Sequence, residues 1–361
     1  MADAENIIDL TDLGQRFSEQ IDSFARGELD ADGFGDAYRA LVEEGGERIS
    51  GEVVGQAQKT AVTEEAELAP FLIRLRARWR PALELLASHR GYALQAGETF
   101  NEEYEDDAIE NQDVMFFALR LLHAQACRIA GEVRVLLASG HASGALARWR
   151  ALYESAVISS LLGMQGNNDI AQRFLDHAVI HDEREARWHR ETFPDHRSIS
   201  DGEYRELVQA KLAAVRRYPE GRYDSDYGWA VPLIGNAQPT FRDLEDSAKL
   251  SHWRPTYKVA NHHVHSDARS AHATLAWRGD TRYLLSGPTN VGLAEPASHA
   301  MDSLTIVTTA FLVGNHGAQS NSPLNAISAV ALGRIAQVAA AEFVRIEDEI
   351  DAEERARGRN H

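Results

Sequence analysis

The chain has 361 residues, 44% hydrophobic and 25% charged, and carries a net charge of −18 at neutral pH. That length suggests two domains, or one with helical extensions, and enough apolar residues for a large core. The acidic balance argues against a surface for DNA or anionic membranes, which needs clustered Lys and Arg, although a local basic pocket stays compatible with it.

The N-terminus, Met1-Ala2-Asp3-Ala4-Glu5, is acidic and lacks an apolar segment. No secretory signal is therefore expected, and the cytoplasm is the expected location. Residues 7–54 are acidic and broken by Gly27, Gly33, Gly35, Gly45 and Gly46, which reads as short helices. The pattern from Glu64 to His89 predicts a helix ending at Gly91, with Pro81 as a kink. The acidic run 101–107 reads as a solvated linker or a helix start.

The next helix runs from about Val114 to Ser139, with Leu119, Leu122, Ala126, Ile129, Val133 and Leu136 at helical spacing. Gly140 ends it. A second helix covers about 143–162, and the short link makes the two an antiparallel pair. Helices are further predicted at 170–191, 201–217, 256–277, 298–313 and 323–357. Two loops separate them, 218–240 and 279–296. The first is rich in Gly, Pro and aromatic residues, so it is either a lid over a site or an ordered surface loop anchored by its aromatics.

The expected fold is all-α: a multi-helix bundle with an N-terminal helical region (1–100), a core helical domain (101–296) and C-terminal helices (297–361) packing on that core, the last one long. Strand-like alternation is scarce. The most apolar short run, Leu304 to Gly314, is far below the roughly 20 residues of a membrane span, so no membrane partner is expected.

Cys127 is the single cysteine, which excludes an internal disulfide and a cysteine-based zinc site. Walker A, G-x-S-x-G and HExxH motifs are absent, and Gly33-Phe34-Gly35 is a lone G-x-G without a preceding strand. No cofactor is expected. Arg-x(4–6)-His, the spacing of the HEPN ribonucleases, occurs at Arg134/His141, Arg184/His189, Arg190/His196 and Arg355/His361. That is no more than the chain's Arg and His content would produce by chance, so the spacing carries no information.

Two helices do carry a signal. In the segment from Gly140 to Glu154, Arg150 and Glu154 lie four apart and share a helix face, and Ala147, Ala151 and, just beyond, Val157 lie near it. A charged pair beside small and apolar residues suggests partial burial, as a structural ion pair or as part of a site. If the pair is truly buried, removing one partner strands the other at about 3–5 kcal/mol. In the segment from Tyr257 to His272, Tyr257, Asn261 and His265 form a drifting polar stripe that Arg269 and His272 continue. The stripe reads as an internal hydrogen-bonded network, a site or a solvated face. The two helices are expected to pack, bringing Arg150 or Glu154 within hydrogen-bonding reach of Tyr257, Asn261 or His265.

The patterns G-h-x-x-x-A-x-x-x-R-x-L-x-E over Gly140–Glu154 and Y-x-x-x-[SN]-x-x-[VH]-H over Tyr257–His265, with Phe241-Arg242-Asp243-Leu244 and Trp253 between them, resemble a bacterial family known as domain of unknown function 5677. The resemblance covers roughly 114–296. It implies an all-helical fold and no established activity. Asn261 stands where the family pattern has Ser, which removes a hydroxyl from that position.

Three readings stay open. As an enzyme, a hydrolase of a phosphate-containing substrate or RNA with a role in defence, the chain would bind an anion through Arg150, use His265 as general acid or base, orient them with Glu154 and donate from Tyr257. Asn261, His262, Arg269 and His272 would line the ligand site. As a metal protein it would use His262, His265 and Glu154, or His177 and His181, although the paired Glu-x-x-His motif of di-iron bundles is missing; no metal site is assigned on this basis. As a recognition module, the reading favoured here, it would bind a partner or a small anionic ligand, with the final helix and the acidic N-terminal region suited to homo-oligomerisation.

Overall fold

The computed structural model describes residues 11–194, 199–265, 267–272, 275–278, 281–314 and 322–358. Among the described residues the chain is all-α apart from one short hairpin, and it divides into two compact units, 1–73 and 74–361.

In the first unit, α1 (Thr11–Ala25) packs on α2 (Ala31–Gly55). Asp30 caps α2 by accepting a hydrogen bond from the Gly33 amide at 2.7 Å. Two ion pairs join the helices, Arg16 with Glu44 at 2.6 Å and Arg48 with Asp12 at 2.7 Å. All four side chains are at least a third exposed, so these pairs contribute little. Between the helices, Leu13, Phe17, Tyr38, Leu41, Val42 and Ile49 line an open apolar groove.

The second unit begins within α3 (Ala57–Glu110), a 54-residue helix. The sequence predicts a helix ending at Gly91, then an acidic run that is a linker or a helix start, but α3 runs through Pro81, Gly91 and the whole 101–107 run. Packing explains the continuity. Trp79, Ala82, Leu86, His89, Ala93, Gly97 and Phe100 form one buried stripe at three- and four-residue steps. Gly97 belongs there because a Cβ would lie 2.2 Å from the His123 ring.

α4 (Val114–Ala138) and α5 (Ala142–Gln165) form the helix pair read from the sequence. Asp113 caps α4, and Gly140, at φ +79°, closes it in the left-handed conformation. The His141 amide reaches back to the Leu136 carbonyl at 2.9 Å. Gly140 also accepts from the Thr289 amide at 2.8 Å, and a Cβ there would meet the Thr289 carbonyl.

α6 (Asn168–Asp176) and α7 (Ala178–Thr192) replace the single predicted helix 170–191, with the break at His177. α8 (Asp201–Arg217) opens with a Ser200–Glu203 capping box. The predicted 218–240 loop contains a 3-10 turn (Gly228–Ala230) and α9 (Val231–Ile234). α10 (Phe241–Ser247) opens with a Thr240–Asp243 capping box.

The helix predicted over 256–277 is not continuous. α11 (Arg254–Val264) ends at His265, a short α12 (Ala268–His272) follows, and β1 (Leu275–Arg278) pairs antiparallel with β2 (Thr281–Leu284), Leu275 facing Leu284. Asp267 begins the new turn by accepting from the Ser270 amide at 2.9 Å.

α13 (Ala294–Val313) is the central helix of the unit. It packs on α4, α5 and α14 (Pro323–Gly358). Gly163 lets α5 and α13 approach, since a Cβ there would stand 3.2 Å from that of Ala310. Phe311 lies edge-on to Phe100 at 5.0 Å. α14 buries Leu332, Ala336, Ala339, Phe343, Ile346 and Ile350 and exposes Leu324, Ile327, Val330, Val338 and Val344. By length and composition alone, Pro323–Ala356 could cross a membrane, a stretch the sequence reading passed over in favour of Leu304–Gly314.

Candidate functional site

Trp149 and Tyr153 anchor α5 from its inner face. Both are fully buried, stacked at 5.3 Å, and the Trp149 indole donates to the Ser303 hydroxyl of α13 at 2.9 Å. Fixing that face turns Arg150 and Glu154 toward α11, which packs on α5. Arg254-Pro255 starts α11, Pro sitting in the first turn where its missing N–H is harmless.

One turn on, Tyr257 meets the charged pair. Its hydroxyl donates to Glu154 Oε1 at 2.7 Å and accepts from Arg150 Nε at 3.0 Å. Arg150 Nε also stands 3.2 Å from Glu154 Oε1. The guanidinium lies over the Tyr257 ring, 5.2 Å from its centroid. Arg150 is 28% exposed and Glu154 32%. Burial, then the bond to Glu154, pushes the Tyr257 hydroxyl well above its ordinary pKa. All the hydrogen bonds of Arg150 among the described residues run through Nε, which leaves both terminal nitrogens of the fork unpaired.

A second Arg, Tyr and Glu set lies directly behind. The Tyr153 hydroxyl is 2.8 Å from Glu245 Oε1, to which it donates, and 2.9 Å from the Leu250 carbonyl. Arg254 Nε donates to Glu245 Oε2 at 2.9 Å, and its Nη2 to Asp246 at 2.7 Å. Glu245 is 2% exposed. Sequence reading missed Glu245 and Arg254. Their signal was the Thr240–Asp243 capping box, which places a helix, and with it Glu245, just before α11.

Partly buried rings continue from Tyr257. Phe241 lies 5.0 Å from Tyr257 and Tyr227 lies 5.9 Å from Phe241. Burial, reinforced by Glu154, raises the Tyr227 hydroxyl to about 12. Tyr227 belongs to the 218–240 segment, whose aromatics anchor it. His177 Nε2 lies 3.0 and 2.9 Å from the Tyr223 and Ser225 carbonyls; both are acceptors, so that nitrogen carries the proton. Trp229 is buried against Phe174. Gly228 allows the tight fold-back, because a Cβ would lie 2.3 Å from the Tyr223 carbonyl oxygen.

Of the residues singled out from sequence, Arg150, Glu154 and Tyr257 converge. Asn261, one turn past Tyr257, keeps its Oδ1 buried without a hydrogen-bond partner among the described residues. His262 pairs with Asp267 instead. His265 is the exposed cap of α11 and bonds through its backbone to the Asn261 carbonyl. Arg269 and His272 are exposed on α12, off the α11 stripe. The stripe fails because α11 stops at His265 and the chain turns. Among the described residues no three His, Cys, Asp or Glu side chains converge as metal ligands. His196 and His361, from the Arg-x(4–6)-His pairs, lie outside the described residues.

Residues 116–280 match the model of a family described as "Family of unknown function (DUF5677)", the family that the two motifs resemble. The match spans both α5 and α11, hence the whole Arg150, Glu154 and Tyr257 set. No curated protein and no solved structure matches the chain.

Proposed function

We propose that the chain is a recognition module whose α5–α11 site binds a small anionic ligand through Arg150. The observation that carries this reading is the unpaired guanidinium fork. Tyr257 and Glu154 hold Nε, and the Tyr257 ring supports one face. The two terminal nitrogens are thereby set for the bidentate geometry that matches a phosphate or carboxylate. Glu154 and Tyr257 orient the arginine, and Glu154 balances its charge while the site is empty. The buried Oδ1 of Asn261 supports the same reading, since an orphaned acceptor costs roughly 1–3 kcal/mol unless a donor fills it. A hydroxyl or amino group on the ligand would supply that donor.

The hydrolase reading draws weaker support. Tyr257 holds its proton more tightly than usual and commits it to Glu154, and His265 stands exposed beyond the end of α11. Equilibrium dialysis with inorganic phosphate, ribose 5-phosphate and acetate tests the proposal. Saturable binding of at least one of them at one site per chain, lost in Arg150→Gln, is the expected result. No saturable binding of any of the three would overturn it.

A further inference from the structure

We infer that the ligand carries a flat aromatic ring beside its anionic group, the ring stacking on Phe241 and Tyr227 while the anion takes the Arg150 fork; this rests on the anion-binding reading above. Arg150, Tyr257, Phe241 and Tyr227 follow one another as a row at 5.2, 5.0 and 5.9 Å. The far rings are only partly buried, unlike Trp149 and Tyr153 of the same aromatic cluster, which are sealed in the core. The row thus begins at a cation with free donors among the described residues and continues as partly buried rings, each tilted from the next by 36° and 37°.

Phe241 and Tyr227 are held from behind. Phe241 opens α10 immediately after its Thr240 cap, and its ring lies edge-on to Tyr153 at 6.0 Å. Tyr227 sits in the segment that His177 ties down through the Tyr223 and Ser225 carbonyls. Rings ordered before binding lose little freedom when a ligand stacks on them. Tyr227 adds a hydroxyl that has no hydrogen-bond partner among the described residues and lies near enough to Arg150 and Glu154 to feel both charges. A ligand reaching from the fork to these rings could accept from it.

The shared chemistry is that of a nucleoside monophosphate or an aromatic carboxylate, and ring-free counterparts separate the two. Dissociation constants are measured for adenosine monophosphate against ribose 5-phosphate and for phenylacetate against acetate, in the wild type and in the Phe241→Leu and Tyr227→Leu variants, with thermal melting as the check on folding. Stacking predicts that one aromatic member binds about fivefold tighter than its counterpart or better. That advantage falls to about twofold or less in Phe241→Leu, while the ring-free counterpart keeps its affinity. Tyr227→Leu shows the same loss should Phe241→Leu fail to fold. The pair showing the advantage identifies the ligand class. Equal binding of both members of both pairs would overturn the inference and leave the Arg150 reading standing. An advantage that survives in both variants would overturn it too. Absence of binding by all four compounds would overturn both readings.

Discussion

Two sets of the same three residue types stand back to back around α5, and they do different work. In the inner set, Tyr153, Glu245 and Arg254 satisfy one another: Glu245 accepts on both oxygens, and Arg254 bonds through Nε and Nη2. In the outer set, Tyr257, Glu154 and Arg150 use a single nitrogen of the arginine and, among the described residues, leave its two terminal nitrogens without a hydrogen-bond partner. Glu245 is 2% exposed, whereas Glu154 is 32% exposed. Identical chemistry is thus structural where the carboxylate is sealed and the arginine is held through two of its nitrogens, and available for binding where only Nε is used at a partly open surface.

The largest effect expected from breaking this contrast falls on the inner set. Glu245→Ala takes an acceptor from the buried Tyr153 hydroxyl and a carboxylate from Arg254. We expect a loss of about 3 kcal/mol in urea unfolding, the low end for a broken buried pair because Asp246 still holds Arg254. A change below about 1 kcal/mol would move the inner set to the class of surface pairs.

Acid probes the segment that carries Tyr227 against both sets. Burial lowers His177 to about 4 from its ordinary 6.5, and the folded state needs it neutral. Its contribution is therefore fully present above pH 6.5 and is lost as pH falls toward 4, at about 1.4 kcal/mol per pH unit. His177→Gln can still donate to the two carbonyls and does not titrate. The difference in unfolding free energy between wild type and variant is expected to shrink over that window; a constant difference would remove His177 as the anchor. Buried His89 and His123, also lowered to about 4, titrate equally in both proteins and cancel.

The smallest effect is expected in the outer set. The sequence suggested that stranding Arg150 costs about 3–5 kcal/mol if the pair is buried. At 28% and 32% exposure the pair belongs nearer the surface class, so Glu154→Gln is expected to cost about 1 kcal/mol or less. Thermal melts of Glu154→Gln and of a variant with both residues replaced by apolar ones should differ little. A large stabilisation by the second replacement would mean that the pair is buried in solution.

Which parts of this were legible in sequence follows from local physics. The i, i+4 spacing of Arg150 and Glu154, with Trp149 and Tyr153 on the flanking face about 100° away, specifies an orientation on any regular helix, and Tyr257 could be placed against it. The end of α11 was misread because no Gly or Pro marks it. The signal was Asp267, an N-cap residue inside an apparently helical run. Further on, Trp277-Arg278-Gly279-Asp280-Thr281-Arg282 carries a Gly-Asp pair between short strand-like runs, a hairpin pattern that a search for helical stripes passes over. α3 was cut short at Gly91 and the acidic run because both read locally as breaks, while the Trp79–Phe100 stripe that overrides them is tertiary. Glu245 meets Tyr153 from 92 positions away and brings Arg254 with it, and neither spacing nor composition records such a contact.

Exchanging one arginine at a time tests the contrast most directly, with melting and anion binding measured on the same samples. Lysine keeps the charge and removes the fork. The account predicts that Arg150→Lys abolishes or severely weakens binding of the anion that the wild type takes, with an almost unchanged melting temperature. It predicts that Arg254→Lys lowers the melting temperature while the folded fraction binds the anion as before. Anion binding that survives in Arg150→Lys and disappears in Arg254→Lys would contradict it.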